Sequence, residues 1–225
     1  MPTTRAPVVV FDIDGTLLDS ATGIVAGFQH ALRSVGFEPP SEAALRADLG
    51  PPVDSIFTAL GLPANRLVAA VRAYRAFYLR SGLQQSTPYP GVIELLQTLA
   101  GVGVPMGVAT AKRTTLARAI LDHHDLLGFF VAVSGTEDDR ITKTATLTHA
   151  LVELGRPAPA RVAMVGDRAS DVAAAVSCGV LPVAVSWGYG SPAELSANDP
   201  VLLSHPADLL DLPLLSPLLP ETTGR

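Results

Sequence analysis

Five short apolar runs limit how this chain can fold: VVVF (8–11), VPMGVAT (104–110), FFVAV (129–133), RVAMVG (161–166) and LPVAV (181–185). Each is nearly continuous rather than alternating, the pattern of a strand covered on both faces. Helical periodicity separates the last four, as in Ile93, Leu96 and Leu99, or Leu147, Ala150, Leu151 and Leu154. Strands alternating with helices imply βαβ units, so the expected fold class is α/β, a doubly wound parallel sheet with a Rossmann-like core. The 225 residues are enough for a large domain or a core with a smaller module. A hydrophobic content of 48% and a mean hydropathy of +0.35 describe a packed chain rather than a disordered one.

The interval between the first two runs breaks the rhythm. From about Leu18 to Gln85 no strand is expected, but amphipathic helices are. Ile24, Phe28, Leu32 and Val35 line one face, and Leu67, Val71, Tyr74 and Tyr78 another, between breakers at GFEPPS, LGPP and GLPA. Such a block is too long for an ordinary connection and reads as an inserted all-helical module. The expected division is residues 1–17 and 86–225 for the α/β core and 18–85 for the insert, with STPYPG (86–91) as the return linker. No internal repeat or low-complexity tract interrupts it. The tail after Leu214 is expected to fray at its end.

A formal charge of −5 argues against a nucleic-acid or anionic-membrane partner, though not against an anionic substrate, which responds to the local field. No apolar stretch reaches the length of a transmembrane helix, and the start MPTTRAPVVVFDID meets acids too soon for a signal peptide. The single cysteine, Cys178, sits in AAAVSCGV and reads as a small buried hydrophobe; without a second one no internal disulfide forms, which fits a cytoplasmic setting. Of sixteen basic residues only Lys112 and Lys143 are lysines.

Ligands of open parallel sheets bind beyond the carboxyl ends of the strands. There the first run ends in Asp12, with Asp14 two residues on; GVAT ends in Thr110, followed by Ala111 and Lys112; VAMVGD ends in Asp167, followed by Asp171. Each has an ordinary structural use: Asp14-Gly15 as a turn, Asp12, Thr110 and Asp167 as caps, Asp171 as a solvated first-turn acid. Jointly those uses leave like charges crowded at one edge, where they repel. A divalent cation resolves this, and Mg²⁺ takes hard oxygen ligands with substrate phosphate completing the shell. Such a site suits phosphoryl transfer, in which one carboxylate attacks phosphorus and another serves the leaving oxygen and then water. Lys143, opening a helix in DDRITKTATLTHAL, reaches the same edge. Lys112 reads as a helix-start residue near the site, and Asp138, Asp139 and Arg140 have no derivable role.

FDIDGTLLDS, the strand ending in Thr110, Lys143 and GDRASD (166–171) resemble, in order, the four motifs of the haloacid dehalogenase superfamily. The insert is similar to that superfamily's first type of cap, and YPGV (89–92) and WGYG (187–190) resemble its phosphoglycolate-phosphatase-like branch. The resemblance implies Asp12 as nucleophile and Asp14 as general acid/base. It implies Mg²⁺ held by Asp12, the Asp14 carbonyl and Asp167, with Asp171 a further ligand or a support behind them, and phosphate bound by Thr110, Ala111 and Lys143. Dehalogenases of the superfamily lack an acid at the position of Asp14, so its presence points to a phosphatase or phosphomutase. The third motif departs from the usual lysine-proline, since Thr144 follows Lys143.

The expected partner is a small phosphorylated substrate, phosphoglycolate first, handled by a monomer or homodimer. A 5′-nucleotidase or pyrophosphatase is the alternative, the LGPP turn being similar to nucleotidase-like members; a phosphomutase and a non-catalytic binding protein follow. The substrate reader is expected in ADLGPPVD (47–54), with Arg46 beside it and Arg72, Arg75 and Arg80 on a neighbouring helix. Tyr74, Phe77 and Tyr78 read as cap core.

Overall fold

The computed structural model describes residues 6–196 and 198–218; the expectations about the first five residues and the last seven fall outside them. The elements in chain order are β1 (Val8–Phe11), β2 (Leu18–Asp19), α1 (Ala21–Ser34), α2 (Glu42–Ala47), α3 (Val53–Ala59), α4 (Ala64–Phe77), β3 (Thr87–Pro88), α5 (Val92–Gly101), β4 (Met106–Arg113), α6 (Thr114–His123), β5 (Ala132–Thr136), α7 (Lys143–Glu153), β6 (Val162–Gly166), α8 (Ala169–Ser177), β7 (Leu181–Val185), α9 (Pro192–Leu195) and β8 (Val201–Leu203). Six strands pair in parallel in the order β5-β4-β1-β6-β7-β8. β1 is central because it is buried on both faces: Val9 and Phe11 face a cluster with Leu96 of α5 and Ile120 of α6, and Val8 and Val10 face Leu147 of α7 and Ala175 of α8. Among the described residues no helix is long and apolar enough to cross a membrane.

Helices α1 to α4 form the inserted cap. Phe28, Phe57 and Tyr74 make its centre, with ring centroids 5.0–5.2 Å apart across the Phe28 pairs. Gly27 admits Tyr74 where a Cβ would sit 2.9 Å from the ring, so α1 and α4 pack closely. After α4 the chain widens into a π-helical turn, Tyr78–Gly82. Tyr74 and Tyr78 are buried as expected, whereas Phe77 is half-buried and stacks on His30.

The structure corrects three strand readings. β4 does not stop at Thr110: its pairing to β5 shifts register after Ala109 and resumes at Arg113↔Thr136, so α6 begins only at Thr114. β5 lies at 132–136 rather than 129–133, because Ser134 and Thr136 are buried polar residues that break no ladder hydrogen bond. Strands also form outside the five runs, one of them at the start of the interval expected to hold none. Leu18–Asp19 pairs antiparallel with Thr87–Pro88, tying the two cap connections together, and the half-exposed edge strand β8 extends the sheet.

Candidate active site

The loop leaving β1 turns because Leu17 and Leu18 donate their N–H groups to the Ile13 carbonyl, and Gly15 adopts φ +80°. Glycine is required there twice over, since a Cβ would stand 2.0 Å from Asp167 Oδ2. Gly188 and Gly190 press on the same aspartate from WGYG, with would-be Cβ contacts of 2.3 Å and 2.0 Å. Asp167 is thus enclosed, accepting from Thr16 Oγ1 (3.2 Å) and the Tyr189 N–H (2.8 Å). Trp187 donates to the Thr16 carbonyl (3.1 Å) and anchors the loop that does this.

Lys143 opens α7 after the N-cap Thr142. A cation in a first turn opposes the helix dipole, and here carboxylates hold it. Its Nζ lies 2.8 Å from Asp12 Oδ2 and 2.8 Å from Asp171 Oδ1, and it donates to the Ala109 carbonyl (3.3 Å). Burial alone would lower the Lys143 pKa, but Asp12 and Asp171 outweigh it and hold it above the ordinary lysine value. Asp171 is not a solvated first-turn acid but is buried at the start of α8, where its Oδ2 accepts the Arg168 N–H (3.0 Å).

Asp12, Asp167 and Asp171 are all buried, and each offers an oxygen within 4.8 Å of the others. Three carboxylates share one ammonium, leaving two negative charges in a desolvated space. Burial, then the Asp171 and Asp12 charges, push the Asp167 pKa up to about 8, and burial pushes that of Asp171 up to about 6. A hard, all-oxygen donor set lacking two positive charges fits Mg²⁺.

The second lysine corrects the sequence reading. Lys112 lies inside β4 with its side chain mostly buried, Nζ being 2.8 Å from Asp14 Oδ2 and 4.3 Å from the centre of the Tyr78 ring. Burial pulls its pKa down and Asp14 pulls it up further, for a net rise. The other Asp14 oxygen accepts from Ser20 Oγ. The signal was in the composition: in a chain that otherwise uses arginine, both lysines meet an aspartate of the first motif. Thr110 is buried and accepts the Lys112 N–H (3.3 Å), and the Ala111 carbonyl accepts from Thr136 Oγ1 (3.2 Å).

Two cavities open over these residues. One, of about 60 Å³, brings Asp14 and Lys112 against Ile24, Phe28 and Arg75 of the cap. The other, of about 290 Å³, lies beside Lys143, Thr142, Arg168 and Ser170. Gly50, Pro51 and Pro52, between α2 and α3, line both, as does Ala111. Arg46 pairs instead with Glu42 and Thr22 away from the site, and Arg72 and Arg80 are exposed. The DDR segment now has a use: Asp138 pairs with Arg113 (2.7 Å), and Arg140 donates to the Gly135 carbonyl (2.9 Å), fixing the loop after β5. Sequence reasoning missed Glu194, which accepts from Arg168 Nε (2.8 Å) and the Ala169 N–H (2.9 Å); nothing local marks an acid 26 residues away as part of this edge.

The profile of the haloacid dehalogenase-like hydrolase family matches residues 9–185. The chain is 39% identical over 207 residues to the tyrosine-protein kinase PtkA of Mycobacterium tuberculosis, covering 91% of this chain and 70% of that protein. It is 36% identical to a 5′-nucleotidase of Pseudomonas aeruginosa (87% and 90% covered) and 30% identical to a phosphoglycolate phosphatase of Vibrio vulnificus (93% and 96%). Its structure superposes on that of a haloacid dehalogenase-like hydrolase from Streptococcus pneumoniae with a TM-score of 0.84 and 29% identity, over 92% of this chain and 98% of the other.

Proposed function

The chain belongs to the haloacid dehalogenase-like hydrolases, and from that premise we propose that it is a Mg²⁺-dependent phosphatase of small phosphorylated metabolites acting through an aspartyl-phosphate. The observation that carries the reading is the pair Asp12 and Asp14, each held by its own buried lysine at the end of β1. An Asp12 oxygen attacks phosphorus as the bond to the leaving oxygen breaks, and Asp14 gives that oxygen a proton. Asp14 then takes a proton from water as the water attacks the phosphoenzyme, releasing inorganic phosphate and restoring Asp12. Lys143, the Thr110 hydroxyl and the backbone N–H groups around Ala111 hold the phosphate oxygens. Mg²⁺, when bound by Asp12, the Asp14 carbonyl, Asp167 and Asp171, supplies the missing positive charge.

The leaving group falls on the Asp14 side, where the cavity is small, walled by Ile24 and Phe28, and reached by Arg75. That favours a short substrate with a second anionic group, as in phosphoglycolate, over a nucleotide. The test is phosphate release from phosphoglycolate, sugar phosphates, nucleoside monophosphates and pyrophosphate, with Mg²⁺ or with chelator. Asp12→Asn is expected to lower turnover on the order of 10⁴-fold or more. Activity surviving in Asp12→Asn overturns the covalent mechanism. The name of the mycobacterial relative adds ATP with a tyrosine peptide to the panel; transfer to peptide without phosphate release would overturn hydrolysis.

A further inference from the structure

Arg168 follows Asp167 in GDRASD, and its side chain reaches from the core to the cap. It donates from its guanidinium to the Leu49 carbonyl of the cap, while its Nε is fixed by Glu194 at 2.8 Å. Glu194 is itself held by the Ala169 N–H (2.9 Å) at the start of α8 and capped through its own N–H by Ser191 (3.2 Å). The arginine is therefore a rigid post standing on the core rather than a floating surface charge. The cap is shaped to receive it. Gly50 has φ +125°, and a Cβ there would come within 3.1–3.3 Å of the Arg168 Cγ, Cζ and Nε atoms. A side chain at residue 50 would be strained by its backbone and pushed against the guanidinium. Leu49 is buried, and the next three residues, Gly50, Pro51 and Pro52, form the wall common to both cavities over Asp14 and Lys143. The two prolines stiffen that wall, so its position depends on where its first residue is held.

We propose that Arg168 is a positioning residue that seats the Leu49–Pro52 loop of the cap on the core and thereby sets the size of leaving group admitted beside Asp14. The selectivity half of this rests on the phosphatase reading above; the seating half does not. The Arg168 side chain bonds Glu194 and the Leu49 carbonyl, and its contact with Asp171 is through its backbone N–H, which a side-chain substitution keeps, so its removal loosens the wall while the groups around Asp12 and Asp14 stay in place. The effect is expected in KM and in the ranking of substrates rather than in kcat for a small substrate.

The experiment measures amide hydrogen exchange at Leu49, Gly50 and Val53 in the full chain without substrate, for the wild type, Arg168→Gln, Arg168→Lys and Gly50→Ala. Arg168→Gln is expected to speed exchange about tenfold or more, the loss of one charge-assisted hydrogen bond, with β1 amides unchanged. Arg168→Lys recovers part of the protection, because one ammonium reaches the Leu49 carbonyl or Glu194 but lacks the fork that serves both. Gly50→Ala, which keeps the arginine and displaces its seat, moves exchange in the same direction as Arg168→Gln. In parallel, the ratio of kcat/KM for phosphoglycolate to that for a nucleoside monophosphate falls several-fold in Arg168→Gln, through KM, at an unchanged Mg²⁺ requirement. Unchanged loop exchange in Arg168→Gln overturns the proposal, as does faster exchange with an unaltered ratio or a shift in Mg²⁺ requirement alone. A wild type without phosphatase activity overturns the functional reading, and the exchange data then decide the seating by themselves.

Discussion

The two lysine corners of the site look alike and are built differently. Lys143 is bound wholly by the core: Asp12 after β1, Asp171 on α8 and a carbonyl of β4. Lys112 is bound where the cap joins the core. Its carboxylate, Asp14, accepts from Ser20 just before α1, and its ammonium lies on Tyr78 in the turn that follows α4. Displacing the cap changes what surrounds Asp14 and leaves the surroundings of Asp12 intact. Under the proposed roles, the nucleophile is preset by the sheet while the acid–base group depends on cap position, which links proton transfer to closure over the substrate.

The contrast breaks most readily through stability. Lys143→Met strands the two buried carboxylates it pairs with, Asp12 and Asp171, and should cost about 3–5 kcal/mol in metal-free protein, whereas Lys112→Met leaves Asp14 its Ser20 bond and partial solvent contact and should cost about 1–3 kcal/mol. Denaturant unfolding with chelator present reads both; equal losses would dissolve the distinction.

A pH series sharpens the core side. The folded pKa of Asp167, about 8, and of Asp171, about 6, lie above the unfolded aspartate value. A carboxyl raised on folding stabilises fully below its unfolded pKa and loses that contribution as pH rises through its folded one. The Tm of chelated protein should therefore fall between pH 5 and about 8, relative to Asp167→Asn, which flattens the curve. Added Mg²⁺ should raise Tm most at the alkaline end. A parallel pair of curves for wild type and Asp167→Asn would show that the acids are not charge-starved.

The smallest stability effect belongs to the cap. Arg75 is half-buried and pairs with no carboxylate within 4.0 Å among the described residues. Arg75→Ala should change stability by about 0.5 kcal/mol or less, yet lower the preference for substrates with a second anionic group. Unchanged substrate ranking would remove Arg75 from the leaving-group pocket.

Much of this was legible before any coordinates. Short continuous apolar runs alternating with helical patterns read as strands buried on both faces, and those runs end at the edge where a parallel sheet collects its ligands, so the fold class and the crowding of Asp12, Asp14, Asp167 and Asp171 follow from pattern. The glycines of WGYG were visible, but their purpose was not: only the fold brings residues 188 and 190 against Asp167. The length of β4 was misread because Thr110 and Lys112 look like the opening of a helix, whereas pairing resumed at Thr136 keeps them in the sheet. The weak edge strand β8 carries too little apolar pattern to be seen. What the sequence determined by itself is what local periodicity and strand-end chemistry can encode: the layers, the inserted helices and the acids of the first and fourth motifs. Only the tertiary structure decided which aspartate each lysine serves, that Glu194 and Arg168 stand under the cap loop, and how small the cavity beside Asp14 is. These depend on contacts between residues far apart in the chain, 119 positions in the case of Leu49 and Arg168, and no local pattern records the distance between two side chains until the chain has folded.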